Sequence, residues 1–303
     1  MSIVKEQKEY PALLRELGDA PKQLYYKGNW DVSLFEKCLA VVGTRRITSY
    51  GRRVTEELVG EIAAQGITIV SGFMYGIDAT AHKAALRVGG KTIAVMPCGI
   101  DMVHPSDQLD LYKEILDTGG LVLSEYEGNF KPLLWTYPKR NRIVAGLSQA
   151  TLVVEAGEKS GSLITANFAK KYKRKLFAVP GPLTSSVSVG IMQLIREGAS
   201  VVGCAKDILD FYRSNLGFSL RFTPPAGWGP TRLPAGQAGL QKNQDSRSSP
   251  LEAKIVEQLR REPLEADELA RALEVNISKL GTALSLMQLS GIIGEEGGKY
   301  HAY

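Results

Sequence analysis

The sequence predicts an α/β protein: an extended Rossmann-like, doubly wound, mostly parallel sheet followed by a small C-terminal winged-helix domain. Three observations lead there. Apolar runs of strand length alternate with helix-length amphipathic stretches from Leu39 to Tyr212, and sustained strand-helix alternation builds a parallel sheet with ligands at the strand C-terminal ends. Several of these runs end in a glycine or in small residues that lead into the next helix, as at Gly43, Gly72 and Ser160 to Ser162. After residue 212 the composition turns to Gly, Pro, Ser and Gln, and three short helical patterns and a hairpin follow, the outline of a winged helix.

Taken in order, residues 1–38 read as a lead-in, with a short helix start at Tyr10 to Leu14 and an edge strand and turn at Leu24 to Gly28. The Rossmann-like domain spans 39–212. Its strand candidates are 39–42, 67–70, 92–96, 121–124, 151–154 and 176–179; its helices include Tyr50 to Ala64, Ile77 to Val88 and Leu163 to Tyr172. Between the fourth and fifth strands a basic knot, Lys139-Arg140-Asn141-Arg142, starts a short amphipathic helix read as Ile143 to Leu147. Residues 213–249, around Pro224 to Pro230, form a flexible linker. In the winged-helix domain, 250–303, helices are expected at Leu251 to Arg261, Ala266 to Leu273 and Ile277 to Leu289, with strands around Gly294 to Gly298.

Charge and cysteine usage narrow the function class. The net charge is +5 over 303 residues, but residues 250–303 hold six Lys/Arg against nine Asp/Glu, a local −3, so the first 249 carry +8. Anion binding is therefore expected in the N-terminal part. The charged start, Met1 to Tyr10, and the lack of any apolar run near the roughly 20 residues that span a bilayer point to a cytoplasmic protein with no membrane insertion. Cys38, Cys98 and Cys204 are scattered and read as core residues; His82, His104 and His301 are too far apart in sequence to suggest a metal centre.

The candidate ligand-binding residues lie in four segments. Gly43-Thr44-Arg45-Arg46 ends the first sheet strand: Gly43 permits close backbone approach, and adjacent arginines suit phosphate or base contacts. Ser71, Gly72 and Gly76 after the second strand read as a second phosphate cradle, and Asp78 and His82 as a helix-cap and side-chain pair. Lys139, Arg140, Asn141 and Arg142 precede the strand whose tip carries Lys159 and the helix start Ser160-Gly161-Ser162, with its free backbone N–H groups. The dense run from Lys170 to Lys175 reads as the exposed face of a helix end. Neither a Gly-x-Gly-x-x-Gly with its acidic ribose reader nor a P-loop is present, so no dinucleotide cofactor and no P-loop ATP hydrolysis are expected. A phosphate-bearing ligand is the expected guest.

The order and spacing of these motifs resemble the DNA-processing protein A (DprA, or Smf) family: Gly43-Thr44-Arg45 with Tyr50-Gly51, Gly76-Ile77-Asp78 with Ala81-His82, Arg140-Asn141-Arg142 with Gly146-Leu147-Ser148, and Glu155-Ala156 with Ser160 to Ala166. No cofactor and no metal are expected from the residues; the resemblance implies a non-enzymatic, dimeric protein, which binds single-stranded DNA taken up in natural transformation, shields it from nucleases and helps load the RecA recombinase. Arg45, Arg46, Lys139, Arg140, Arg142 and Lys159 would then neutralise phosphates while the turns at Gly43, Gly72 and Gly161 offer main-chain N–H groups. The chain departs from the family at Met74, usually Ala, Pro97, usually Gly, His104, usually Tyr, and Met192, usually Asn. Two other readings stand beside this one. A nucleotide phosphoribohydrolase on a related fold would also place Arg140 and Gly161 in order, but Thr165 stands where its catalytic Glu is expected; a nucleotide carrier is the third.

Overall fold

The computed structural model describes residues 1–216 and, further on, 250–259, 264–273 and shorter stretches between 275 and 302. The chain divides into two compact units, Met1–Pro234 and Ala235–Tyr303.

In the first unit, β1 (Ser2–Val4), α1 (Ala12–Arg15) and β2 (Gln23–Gly28) precede the alternation. Then come β3 (Cys38–Val42), α2 (Ser49–Ala64), β4 (Thr68–Ser71), α3 (Ile77–Arg87), β5 (Thr92–Gly99), α4 (Leu109–Asp117) and β6 (Leu121–Tyr126). The second half holds α5 (Thr136–Gly146), β7 (Ala150–Val153), α6 (Gly161–Lys171), β8 (Lys175–Ala178), α7 (Val189–Arg196), β9 (Ser200–Val201) and α8 (Ala205–Leu216). All nine strands form one sheet in the order β1-β2-β6-β5-β4-β3-β7-β8-β9. The pairs from β6 through to β9 are parallel, and β1 and β2 are antiparallel additions.

Each of the six strand candidates corresponds to a strand. Three local expectations are corrected. The segment at Leu24 to Gly28 is not an edge, because β1 pairs outside it (Ser2 opposite Tyr25); a three-residue strand carries too little pattern to be read. The helix assigned to Ile143–Leu147 begins at Thr136, because Pro138 sits in its first turn, where a missing N–H leaves no intrahelical bond unmade. The Lys139–Arg142 knot therefore lies inside a helix rather than ahead of one. Cys204 is exposed, not core, since it lies in the turn that starts α8.

Burial explains the runs of apolar residues. β3 is buried along its whole length, as expected of a strand covered on both faces. Leu39 and Val41 pack with Val54, Leu58 and Ile62 of α2 and Ile208 of α8. Ala40 and Val42 face the opposite layer, with Ile143 and Val144 of α5 and Ala166 of α6. Each such Leu, Ile or Val contributes about 1.5–3 kcal/mol on burial. Tyr212 Oη donates to the Cys38 carbonyl at 2.6 Å, so α8 is pinned to the sheet and runs on through Leu216, past the expected domain boundary at 212. Most of the expected linker, 217–249, lies outside the described residues.

Strand order reverses direction between β3 and β7, which are neighbours although three strands separate them in sequence. That switch point opens a crevice at the strand C-terminal ends, and the loops leaving β3 and β7 form its walls. One wall is fastened by Glu155. The backbone N–H of Thr48, N-cap of α2, donates to Glu155 Oε2 at 3.1 Å, and the Thr48 hydroxyl donates to the other carboxylate oxygen. A Cβ at Gly51 would sit 2.3 Å from Glu155 Oε2, so the first turn of α2 can close on the carboxylate only with glycine there.

In the second unit, α9 (Pro250–Leu259) and α10 (Ala266–Ala272) precede a hairpin of β10 (Ile293–Glu296) and β11 (Lys299–Ala302). Glu265 and Glu268 form a capping box at the start of α10. Ile255, Leu259, Leu269, Leu280, Leu284, Met287 and Ile293 make its core. The third expected helix, Ile277 to Leu289, falls in large part outside the described residues.

Candidate nucleic-acid interface

The crevice between the tips of β3 and β7 is a cleft of about 400 Å³. Its walls come from the loop after β3 (Gly43 to Arg46), the loop after β4 (Gly72, Met74), one face of α5 (Tyr137, Arg140, Asn141, Val144) and the start of α6 (Ser160 to Ser162, Ile164, Thr165), with Asp78 among them. Gly43 is required by packing: an added Cβ would lie 2.4 Å from Ile77 Cγ1. Thr44 N–H donates to the Glu155 carbonyl at 2.8 Å, and Thr44 Oγ1 accepts from Arg46 N at 3.1 Å. The loop is thus held while the side chains of Arg45 and Arg46 remain exposed. The Arg45 guanidinium lies 5.1 Å from the centre of the Tyr137 ring, and His104 Nε2 is 2.8 Å from Tyr137 Oη.

Arg140 forms the floor. It is 4% exposed, and one terminal nitrogen donates to the carbonyls of Gly72 and Val95. A Cβ at Gly72 would come within 2.4 Å of that guanidinium, so this glycine exists for close approach. Burial pulls the guanidinium down to about 10, opposed by the neighbouring Asp78 carboxylate, and it stays cationic at neutral pH. Asp78 is itself raised by burial, with Arg140 acting against the rise, and it accepts from Met74 N at 3.3 Å. Between Gly72 and Met74, Phe73 holds a left-handed backbone at φ 59°. For a bulky residue this costs about 1–3 kcal/mol, offset by its complete burial.

On the opposite wall Ser160 caps α6: its Oγ is 3.4 Å from the N–H of Ser162 and 2.8 Å from Ser162 Oγ. Asn141 Nδ2 donates to the Gly161 carbonyl at 3.3 Å while its Oδ1 accepts from Arg140 Nε at 3.2 Å. The amide therefore fastens α5 to α6 across the cleft. The arrangement combines two exposed guanidiniums, one buried guanidinium and the amino end of a helix, all suited to an anion.

Of the residues expected from sequence, the structure gathers Gly43, Thr44, Arg45, Arg46, Gly72, Arg140, Asn141, Ser160, Gly161 and Ser162 around the cleft. It places five elsewhere. Ser71 is buried and donates to the Val41 carbonyl at 2.6 Å, binding β4 to β3. Gly76, at φ 76°, backs onto the Thr44 carbonyl. Arg142 points away from the cleft: it donates to the Asp19 carbonyl at 2.6 Å and pairs with Glu125. Lys139 lies 3.5 Å from Glu125. Lys159 lines an adjoining depression with Asn167 and Gln193, which shares Ser160 and Ile164 with the cleft. The expected Asp78–His82 pair does not form as such; His82 Nδ1 instead meets Thr92 Oγ1 at 2.6 Å, and burial takes the imidazole down to about 3.

Sequence reasoning missed Tyr137, Val144 and Ile164, and marked Met74 only as a departure from the family. A helix begun at Thr136 would have put Tyr137, Arg140, Asn141 and Val144 on one face by their i, i+3, i+4, i+7 spacing. Among the described residues, no cluster of His, Cys, Asp or Glu is arranged to hold a metal ion, and no helix is long and apolar enough to cross a membrane.

The chain is similar to known proteins. The chain is 33% identical to protein Smf of Synechocystis over 98% of its length and 78% of that protein's. It is 43% identical to the DNA processing protein DprA of Streptococcus pneumoniae over 66% of its length and 70% of that protein's. Against protein Smf of Escherichia coli it is 41% identical, over 72% of the chain and 57% of that protein. The S. pneumoniae DprA crystal structure superposes with a TM-score of 0.65 at 41% identity, covering 69% of this chain and 73% of that one. DNA processing protein A of Helicobacter pylori, a structure described for its unique single-stranded DNA binding mode, gives 0.63 at 33%, covering 71% and 97%. A DprA winged-helix model matches residues 241–299. The model for DNA recombination-mediator protein A matches residues 1–213, and the chain belongs to that family.

Proposed function

We propose that this protein binds single-stranded DNA across the cleft between β3 and β7, protects it from nucleases and helps load RecA onto it during DNA uptake, acting as a homodimer and without catalysing a reaction. The observation that carries the reading is the convergence of Arg45, Arg46 and the Arg140 floor with the amino end of α6 at the switch point of the sheet. An unpaired strand can separate its phosphates from its bases. The phosphates then meet the exposed guanidiniums, and the bases meet the apolar faces of Tyr137, Met74 and Ile164. The names and descriptions of the S. pneumoniae and H. pylori relatives support the same reading. The acidic second unit is poorly suited to phosphates, and we assign it a protein-contact or regulatory role.

The test is a gel-shift comparison of single-stranded and duplex oligonucleotides over a salt series. Binding should favour the single strand, with a slope of log affinity against log salt of about −0.7 for each phosphate neutralised. Indifference to oligo-dT at low ionic strength would refute the reading. The RecA step is checked by filament growth on DNA precoated with a single-strand-binding protein, which should accelerate when this protein is added.

One observation favours a second reading. Asp78 lines the cleft, and a carboxylate facing a bound nucleotide is what a phosphoribohydrolase needs. Its placement between Met74 N and the Arg140 guanidinium gives it a structural task instead. Release of free base from nucleoside monophosphates, abolished in Asp78→Asn, would establish the enzymatic alternative.

A further inference from the structure

Beside the cleft, the loop after β6 exposes an aromatic ledge that the cleft does not use. Trp135 is 52% exposed, Phe130 37% and Leu134 92%. This is not a slack loop. The N–H of Gly99 donates to the Phe130 carbonyl at 2.8 Å and that of Asp101 to Gly128 at 3.0 Å, while the buried Thr136 hydroxyl donates to the Leu133 carbonyl at 2.8 Å. The rings are ordered as well. Tyr126 and Phe130 stack at 4.6 Å, and Trp135 stands edge-on to both, at 6.0 and 6.3 Å. Lys139 places its ammonium 5.5 Å from the Tyr126 ring centre and 5.7 Å from that of Trp135. Its partner Glu125, at 3.5 Å, is shared with Arg142.

A fixed indole with about half of its surface in water and a cation beside it fits a nucleobase and its phosphate. Stacking on such rings is tolerant of sequence because every base has a π face, and an ammonium in reach receives the phosphate that follows. The ledge is also continuous with the cleft: Trp135 is the N-cap of α5, whose next turn supplies Tyr137 and Arg140. We infer that Trp135, backed by Tyr126 and Phe130 and served by Lys139, is a second, stacking subsite for one or two unpaired bases of the polynucleotide held in the cleft. The inference rests on the single-strand reading above and extends its track along α5.

The test compares oligo-dT of about 4 nucleotides, enough for the cleft alone, with oligo-dT of about 16, long enough to reach the ledge, using the full chain and the variants Trp135→Ala, Trp135→Phe and Arg45→Ala. Trp135→Ala should weaken the longer oligomer about tenfold and leave the shorter unchanged, and Trp135→Phe should restore most of the loss. An abasic 16-mer should bind wild type and Trp135→Ala alike. Tryptophan emission should fall on adding the longer oligomer to wild type and stay level in Trp135→Phe. Equal binding of the 16-mer by wild type and Trp135→Ala would overturn the subsite while leaving the cleft intact. A change confined to self-association, measured by light scattering, would assign the ledge to a second copy of the chain and overturn it as well. If wild type bound neither oligomer, the single-strand reading itself would fall, which Arg45→Ala distinguishes by losing the short oligomer when that reading holds.

Discussion

Arg140 and Arg142 stand two residues apart on one helix, are buried to a similar degree, and serve two different regions of the molecule. Arg140 turns into the crevice, where main-chain carbonyls and Asp78 receive it. Arg142, rotated about 200° around the helix axis, turns to the other side and ties Asp19 of the N-terminal segment to Glu125 at the end of β6. A basic run in sequence is thus not a basic patch in space. One guanidinium shapes the floor of a binding site, and the other secures the segment that carries β1 and β2.

The largest effect that would sharpen this contrast is expected from Arg140→Ala. It leaves Asp78 buried without its counter-charge and should cost about 3–5 kcal/mol of stability in urea unfolding; a loss below about 1 kcal/mol would break the contrast. Arg142→Ala should cost less, about 1–3 kcal/mol, and should leave the salt dependence of oligo-dT binding unchanged. A flattened slope in this variant would show that Arg142 meets DNA after all. Next comes Arg45→Ala combined with Arg46→Ala, which should alter stability by no more than about 0.5 kcal/mol. It should lower the magnitude of the salt slope by about 1.4, two phosphates' worth. The smallest effect is predicted for removing residues 250–303: affinity for single strands should change less than about threefold, within ~0.7 kcal/mol, and a large drop would move part of the binding to the acidic unit.

Much of the sheet was legible because its central strands are covered on both faces and therefore read as unbroken apolar runs. The same reasoning could not see β1 or β9, at three and two residues, and so took β2 for an edge. The site was legible where it depends on turns: Gly43 and Gly72 mark places where side chains of Ile77 and Arg140 press against backbone. It was less legible where it depends on rotation about a helix. With α5 begun seven residues late, nothing separated the cleft-facing Tyr137, Arg140 and Val144 from the outward Arg142. Trp135 is hidden for the same reason, as the cap of a helix whose start the apolar pattern does not mark. Lys159, adjacent to the Ser160 cap, shows the limit of adjacency as a guide: its neighbour lines the cleft and it does not.

The carboxylate of Glu155 gives the cleft a sidedness. Two helices begin beside the switch point, and each would ordinarily offer its amino end to a passing anion. At α2 that place is already taken by the protein's own counter-ion, bound through Thr48 and cradled by Gly51, whereas α6 keeps its end open to solvent at Gly161. A phosphodiester chain, which itself runs in one direction, is thus met differently on its two sides: by a helix end at α6, and at α2 only by the guanidiniums of Arg45 and Arg46 on the loop that precedes the helix. Glu155→Gln would make the two helix ends more nearly alike.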